Sequence, residues 1–391
     1  MKRSDLANLV KMIYSEGHVS RAGLAEKTGL AHSYITTIVR DLQNAGLLLE
    51  GGRAPSGGGR RRVLLQINPK LAHLIGIEIG TANCRVVATD LLGNILHLRR
   101  FPSEISKGKT HVLDAIDREI ECLLQQDSAI KGIGMSHSGV IERRAGTVLF
   151  WPKVQGWNNV PLKQMLEAKY ELAVIVEDSV RTMAIAEQRF GRAKGCDDVV
   201  FVNIGMGIGS AIFVNGQLHF GYNGLAGELG HTTIDESGDL CSCGNRGCLE
   251  VYASGSAIIN RVRSGLEKGV TSSLLEGWQK HPSELSVETI VEAARSHDRL
   301  SGMILAEAGA HLGTALATIV NLLNPRRLIL GGAVPQAAKG LLLKPLLDSL
   351  RARAFHRSVT GLEVLVSRLG DESAALGAVI LVGQRILERL V

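Results

Sequence analysis

The feature that most constrains this chain is a cluster of metal donors: His231, Cys241, Cys243 and Cys248 fall within eighteen residues. A closed structural zinc site takes four such ligands in a tetrahedron. Gly238, Gly244 and Gly247 let the backbone turn tightly enough to aim three thiolates at one point. The competing reading is three buried free cysteines near an unrelated histidine. So dense a thiol cluster, in a chain with six cysteines in all, argues against it. Structural Zn2+ is the expected cofactor.

Two carboxylates flank the cluster. Glu228 lies three residues before His231, and Glu250 two after Cys248. A metal that fixes the loop would also hold both acids, and rigidly held carboxylates are good acceptors for sugar hydroxyls. The spacing alone equally allows two solvated surface acids.

The 391 residues suffice for two or three domains, and 45 glycines with 45% hydrophobic residues suit a glycine-rich α/β protein. Cys84, Cys122 and Cys196 are scattered rather than arranged as a disulfide framework, which suits a reducing cytosol. No signal-peptide core opens the chain, and no unbroken apolar run reaches the ~18 residues of a membrane span. The expectation is a soluble cytoplasmic protein without membrane insertion.

The charge is uneven. Residues 1–69 hold ten Lys and Arg against five Asp and Glu, so +5 of the net +6 lies in this head. A basic head on a near-neutral body points to a polyanion-binding module. Leu6, Leu9, Val10, Ile13 and Tyr14 mark one face of a helix that Gly17 ends. Ser20 is a candidate N-cap for a second helix. Thr28-Gly29-Leu30 is a turn, and a third helix buries Ile35, Ile38, Val39 and Leu42. That pattern is a helix-turn-helix. Off the apolar stripe of the third helix lie His32, Ser33, Tyr34, Thr36, Thr37 and Arg40, short polar groups and a cation suited to a major groove. The segments 47–49 and 63–67 read as strands of a wing. The Gly/Arg-rich run between them, 51–62, is either a flexible linker or a minor-groove arm using Arg60, Arg61 and Arg62, and is expected to be disordered without DNA.

After Pro69 the chain alternates strands and helices. Strands are expected at 74–81, 85–90, 94–96, 130–136, 174–178, 199–204 and 211–214, a helix at about 180–189, and a long helix at 304–323. A strand at 327–330 and a helix at 374–390 complete the pattern. Two halves each begin with a strand, a glycine turn and a hairpin, an internal duplication of pattern. The turns at Gly80-Thr81, at Gly205, Gly207 and Gly209, and at Gly331-Gly332 either cradle phosphate with bare backbone N–H groups or only bend the chain.

Taken together, these residues resemble the ROK family (repressor, open reading frame, kinase), in its branch of transcriptional regulators with an N-terminal winged helix-turn-helix. The carrying motif is Gly-Glu-Leu-Gly-His at 227–231 with Cys-x-Cys-Gly-x-x-Gly-Cys-Leu-Glu at 241–250. Supporting pieces are the turn at 76–81, Pro152 with Trp157, Glu177-Asp178, the 205–209 loop, and Asn324-Pro325 with Gly331-Gly332. The resemblance implies an α/β, actin-like or hexokinase-like two-lobed fold with a winged-helix head. The domains would be 1–69 for the head, 70–178 with 375–391 for lobe I, and 179–374 for lobe II, with zinc on the 231–248 loop. It implies a sugar or sugar-phosphate effector in the cleft between lobes, near Lys153, Glu177, Asp178, Glu228, His231 and Glu250. Asp178 is the general base where family members are kinases. This chain departs from the kinase pattern. Glu78 stands where the family has Asp, Met206 where it has Thr, Glu177 where Asn precedes the catalytic Asp, and Lys153 where Asn follows Pro152. Glu78 and Met206 degrade the nucleotide site, so the glycine turns are expected to be vestigial. The expected function is a sugar-responsive repressor that binds operator DNA as a homodimer or homotetramer, with an ATP-dependent sugar kinase as the alternative. A sugar-transport protein is a further candidate partner.

Overall fold

The amphipathic opening folds as its spacing predicts. In the computed structural model, which describes residues 3–53, 61–151 and 154–390, helix α1 (Arg3–Glu16) ends at Gly17, whose φ of 80° suits a residue without Cβ. A two-residue strand β1 (Val19–Ser20) leads into α2 (Arg21–Thr28), where the Ser20 hydroxyl accepts the Gly23 N–H as N-cap. Helix α3 (His32–Asn44) then runs into strands β2 (Leu48–Arg53) and β3 (Val63–Ile67), which pair antiparallel. This is a winged helix-turn-helix. The expectation of disorder falls largely on residues 54–60, which with Arg60 lie outside the described residues.

The body continues with β4 (His73–Ile79), β5 (Asn83–Asp90), β6 (Ile95–Pro102), α4 (Lys109–Gln126), β7 (Ile130–His137), β8 (Val140–Glu142) and β9 (Thr147–Phe150). Then come α5 (Leu162–Tyr170), β10 (Ala173–Asp178), α6 (Ser179–Phe190), β11 (Val199–Ile204), β12 (Ile208–Val214) and β13 (Gln217–His219). After the loop carrying the metal donors follow α7 (Glu250–Ala253), α8 (Gly255–Glu267), α9 (Leu275–Lys280), α10 (Val287–Arg295) and α11 (Arg299–Leu323). The chain closes with β14 (Arg327–Gly331), α12 (Ala333–Ala337), α13 (Lys339–Arg353), β15 (Glu363–Val366) and α14 (Ser373–Leu390).

Two five-stranded sheets carry this body, in the orders β6-β5-β4-β7-β10 and β13-β12-β11-β14-β15. In each, the first three strands form antiparallel hairpins and the last two join in parallel. The order is the same twice over, so the duplication of pattern is a duplication of topology, that of the hexokinase-like class. The chain separates into one unit of residues 1–189 with 370–391 and another of residues 190–369.

The head is no separate bead. Leu9, Ile13, Tyr14, Ile35, Ile38 and Leu65 share one buried core with Leu74, Val87, Ala375, Val379 and Ile386 of the adjoining lobe. Helix α6 also stays with this unit, because Thr182 Oγ1 meets Ser136 Oγ at 2.9 Å and Gly377 of α14 backs onto the Thr182 carbonyl. On the other face of the sheet His137 is fully buried between Trp151 and Trp157, with ring centroids 4.6 and 4.7 Å away. Its Nδ1 accepts the Gly139 N–H at 2.8 Å, which fixes the neutral tautomer, and burial pushes its pKa down to about 3.

Helix α11, 25 residues long, is apolar and long enough to cross a membrane. A search for unbroken apolar runs passes over it because Arg299, Glu307 and His311 interrupt the sequence. It is a core helix here: Leu305, Leu312, Leu316 and Val320 are buried, and Gly309 and Gly313 let it sit directly on the α13 carbonyls of Leu342 and Leu346.

Two predictions follow from this packing. A Cβ at Gly134 would run into the Ala378 carbonyl of α14, so Gly134→Ala should cost about 1–3 kcal/mol, read as a lower urea midpoint. The buried imidazole stays neutral in the fold while the unfolded one titrates near pH 6.5. Its contribution is therefore full above that pH and is lost as pH falls toward 3. His137→Phe should flatten the stability profile between about pH 6 and 4.

Candidate functional site

The segment Gly227–His231 is laid against strand β12 at van der Waals limits. A Cβ at Gly227 would strike the Ser210 carbonyl and one at Gly230 the Ile208 carbonyl. Ser210 seals the contact, its N–H and its hydroxyl both donating to the Gly227 carbonyl at 2.9 and 2.8 Å. On the far side Leu249 N–H donates to Thr232 at 2.9 Å, and Cys248 Sγ approaches the His231 carbonyl at 3.5 Å. The Gly247 backbone, at φ 63°, passes so close to the Asp235 carbonyl that no side chain fits.

This folding brings all four expected donors together. His231, Cys241, Cys243 and Cys248 offer atoms that lie within 4.8 Å of one another. Cys241 Sγ is 3.6 Å from His231 Nδ1, and Cys243 Sγ is 3.7 Å from Cys248 Sγ. Zinc bonds of about 2.3 Å to sulfur and 2.0 Å to nitrogen give tetrahedral edges of about 3.6 Å (S···N) and 3.8 Å (S···S). The sulfurs are far beyond disulfide distance, and all three cysteines are free thiols. The residues thus fit a four-coordinate metal ion. Burial and the adjacent thiols push the Cys248 thiol up to about 12, while the Asn245 N–H favours the Cys243 thiolate. A divalent cation held there would supply the charge that keeps all three as thiolates.

The flanking acids take different places. Glu228 is exposed. Glu250 is half-buried at the start of α7, and its Oε2 accepts the Ile208 N–H at 3.0 Å, next to Gly207. The carboxylate therefore occupies one backbone donor of the 205–209 loop, and Gly205 N–H is spent on the Gly207 carbonyl at 3.0 Å. Met206, 52% exposed, presents a thioether there. The other glycine turns serve backbone packing. Gly80 N–H closes the β4–β5 hairpin onto Asn83 O at 3.1 Å with Thr81 exposed beside it. Gly331 lies under the Phe201 ring and Gly332, at φ 92°, abuts the Ile204 carbonyl.

In the first unit Asp178 sits at the carboxyl end of β10, in register with His137 on β7. Its Oδ1 accepts the N–H groups of Val180 and Arg181 at 2.9 and 3.1 Å and so caps α6. Glu177 is buried, at 1% exposure, and held by Arg143 Nε at 3.0 Å and Arg181 at 3.3 Å. It supports the strand end rather than offering its oxygens to a ligand. Arg143 and Arg181 are its partners, and Lys153 and Pro152 lie outside the described residues. Glu78 is likewise committed: buried, raised in pKa chiefly by that burial, and bonded to Arg85 at 2.8 Å. Arg85 reaches Asp371 at 3.2 Å, and Arg100 also pairs with Asp371.

On α3, His32, Ser33, Thr36, Thr37 and Arg40 are all exposed, as are Arg61 and Arg62 of the wing. Tyr34 is turned inward, half-buried against the head core, and its hydroxyl donates to Asp5 at 3.2 Å. Position off the apolar stripe placed it outside, but a Tyr ring is long enough to reach back to α1.

The ROK family profile matches residues 74–385, that is, the body without the head. The chain is 30% identical over 386 residues to the xylose repressor of Caldicellulosiruptor bescii, covering 98% of this chain and 96% of the relative. It is 30% identical over 391 residues to the DNA-binding transcriptional dual regulator NagC of Escherichia coli K12, covering 99% and 94%. The crystal structure of a ROK family transcriptional regulator, a homologue of the E. coli MLC protein, superposes with a TM-score of 0.82 at 29% identity, covering 99% of this chain and 96% of that one.

A metal should be measurable directly. The purified protein is expected to carry one equivalent per chain. Cys243→Ser, at an exposed ligand, should lose it and lower the melting temperature by on the order of 5–10 °C. A metal-free protein that melts at the same temperature would rule the centre out.

Proposed function

The chain belongs to the ROK family, and on that premise we propose that it is a sugar-responsive transcriptional repressor whose effector is a sugar or sugar phosphate. The observation that carries this reading is the head. A winged helix-turn-helix, with an exposed polar and basic face on α3, shares its core with a ROK body. The repressor and regulator relatives span this head as well. A DNA reader works beside the DNA, in the cytoplasm, and a palindromic operator would be bound by two copies.

In this proposal His32, Ser33, Thr36, Thr37 and Arg40 face the major groove, with Arg61 and Arg62 reaching phosphates or the minor groove. The metal is zinc, in a structural role: it stiffens the loop that presents Glu228, His231 and Glu250 to the sugar hydroxyls. Asp178 supplies a further acceptor. Glu177, bound by two arginines, acts beneath Asp178 as its support. The kinase reading keeps Asp178 as base but is weakened by Glu78, bound to Arg85, and by Met206, which has no hydroxyl for a phosphate.

The test is a calorimetric panel of aldoses, N-acetylhexosamines and their 6-phosphates, with each hit retested on a duplex selected by the full-length protein from a random pool. One sugar is expected to change operator affinity, and by linkage the operator should change sugar affinity by the same factor. Glu250→Gln should weaken that sugar by roughly tenfold, about 1.4 kcal/mol. Replacing Arg61 and Arg62 with Ala should reduce the salt slope of operator binding by up to about 2. Sugar-dependent ADP release that vanishes in Asp178→Asn would restore the kinase instead.

A further inference from the structure

A rigid element seated at both ends can carry coupling between an effector site and a DNA head. In the first unit one helix meets that description. Helix α6 begins on the Asp178 carboxylate, which caps it through Val180 and Arg181. Twelve residues later, about 18 Å along the axis, it ends at Arg189 and Phe190. Arg189 is 8% exposed, and its Nη1 donates to the Ser15 carbonyl of α1 at 3.3 Å. Its guanidinium carbon lies 5.6 Å from the centre of the Tyr14 ring. A Cβ at Gly17 would overlap that guanidinium, so the last turn of α1 is shaped around the arginine.

The helix between these ends is firmly seated. Arg181 holds Glu177, Thr182 holds Ser136, and Gly377 of α14 backs directly onto Thr182. Tyr14 is completely enclosed, its hydroxyl set against Gly383 of α14. Burial makes the guanidinium costly to place there and lowers its pKa. A leucine or methionine of similar reach would pack without that cost. Arg189 is also the last residue of its unit: the chain passes into the other unit at Phe190. A shift of α6 at its capped end, or a pull on the chain at its far end, arrives at the same side chain.

We propose that helix α6 conveys effector binding at Asp178 to the DNA-reading head, and that Arg189 is the positioning residue that makes the connection to α1. The inference rests on Asp178 as an effector ligand, as argued above. Sugar binding to the Asp178 carboxylate competes with, or reorients, the two cap hydrogen bonds. The helix responds as a body, and the Arg189 contacts pass the displacement to Ser15 and Tyr14.

Operator affinity is measured by fluorescence anisotropy on the selected duplex, without and with the saturating sugar identified from the panel, for the wild-type chain, Arg189→Met and Arg189→Lys. Sugar affinity is read separately by calorimetry. Arg189→Met keeps the apolar stem and removes the fork. It is expected to bind the sugar and, in its absence, the operator within about threefold of wild type, while the ratio of the two operator affinities collapses by about tenfold or more toward one. Arg189→Lys, with the charge but a single donor head, should restore part of that ratio. A wild-type ratio kept intact in both variants overturns this inference and leaves the repressor reading standing. A wild-type ratio of one for every sugar in the panel overturns both. If Arg189→Met unfolds, the Lys variant decides alone: full wild-type coupling in it would show that the forked contact to Ser15 is dispensable.

Discussion

The close approach of Gly227–His231 to strand β12 is the constraint on which the loop carrying the four metal donors depends. It fixes one metal donor, His231, against a sheet edge. A single cation can then gather Cys241, Cys243 and Cys248 from a loop that has few apolar side chains of its own. The backbone bond from Leu249 N–H to the Thr232 carbonyl carries that order across to Glu250. Without the metal, three thiols and an imidazole are crowded within a few ångströms, with nothing to balance the cost of burying two of the sulfurs. With it, Glu228 and Glu250 are attached to a stiff frame. An ion bound there would replace the core that so short a loop cannot build.

Glu250 ties this frame to the neighbouring glycine loop. Its bond to Ile208 N–H takes up a donor that a phosphate cradle would need. The same substitution of internal partners for ligand contacts recurs at Glu78, locked to Arg85, and at Glu177, locked to Arg143 and Arg181. Where catalysis of phosphoryl transfer depends on free donors and correctly placed carboxylates, this chain has turned several of them to holding its own strands together.

Much of this was legible in the sequence. Helical spacing located α1, α3 and α14, and the Ser20 cap and the Gly17 stop fell where backbone chemistry put them. The metal ligands were readable because four donors in one short loop have few other uses. The misses have physical causes. Helices α4, α8, α10 and α13 carry ordinary amphipathic patterns without a distinctive motif. Tyr34 was read as outward-facing because periodicity gives the direction of Cβ, not the reach of a long side chain, and Glu177 was placed by the family resemblance, which does not show the arginines that hold it. The Arg189 contact joins residues 174 apart, and no local pattern encodes such a pairing.

The shared core of head and lobe has a consequence for how such a protein can arise. Helix α14 sets Gly383 against the Tyr14 hydroxyl of the head, and its Ile380 and Leu387 are buried in the same cluster as Ile13 and Leu65. Without the head, the part of this cluster that it covers would face water and invite aggregation. A DNA reader joined only by a tether would not make this protein: the surface beneath it has to be apolar as well. Conversely, a regulator of this build that shed its reader would inherit a sticky scar.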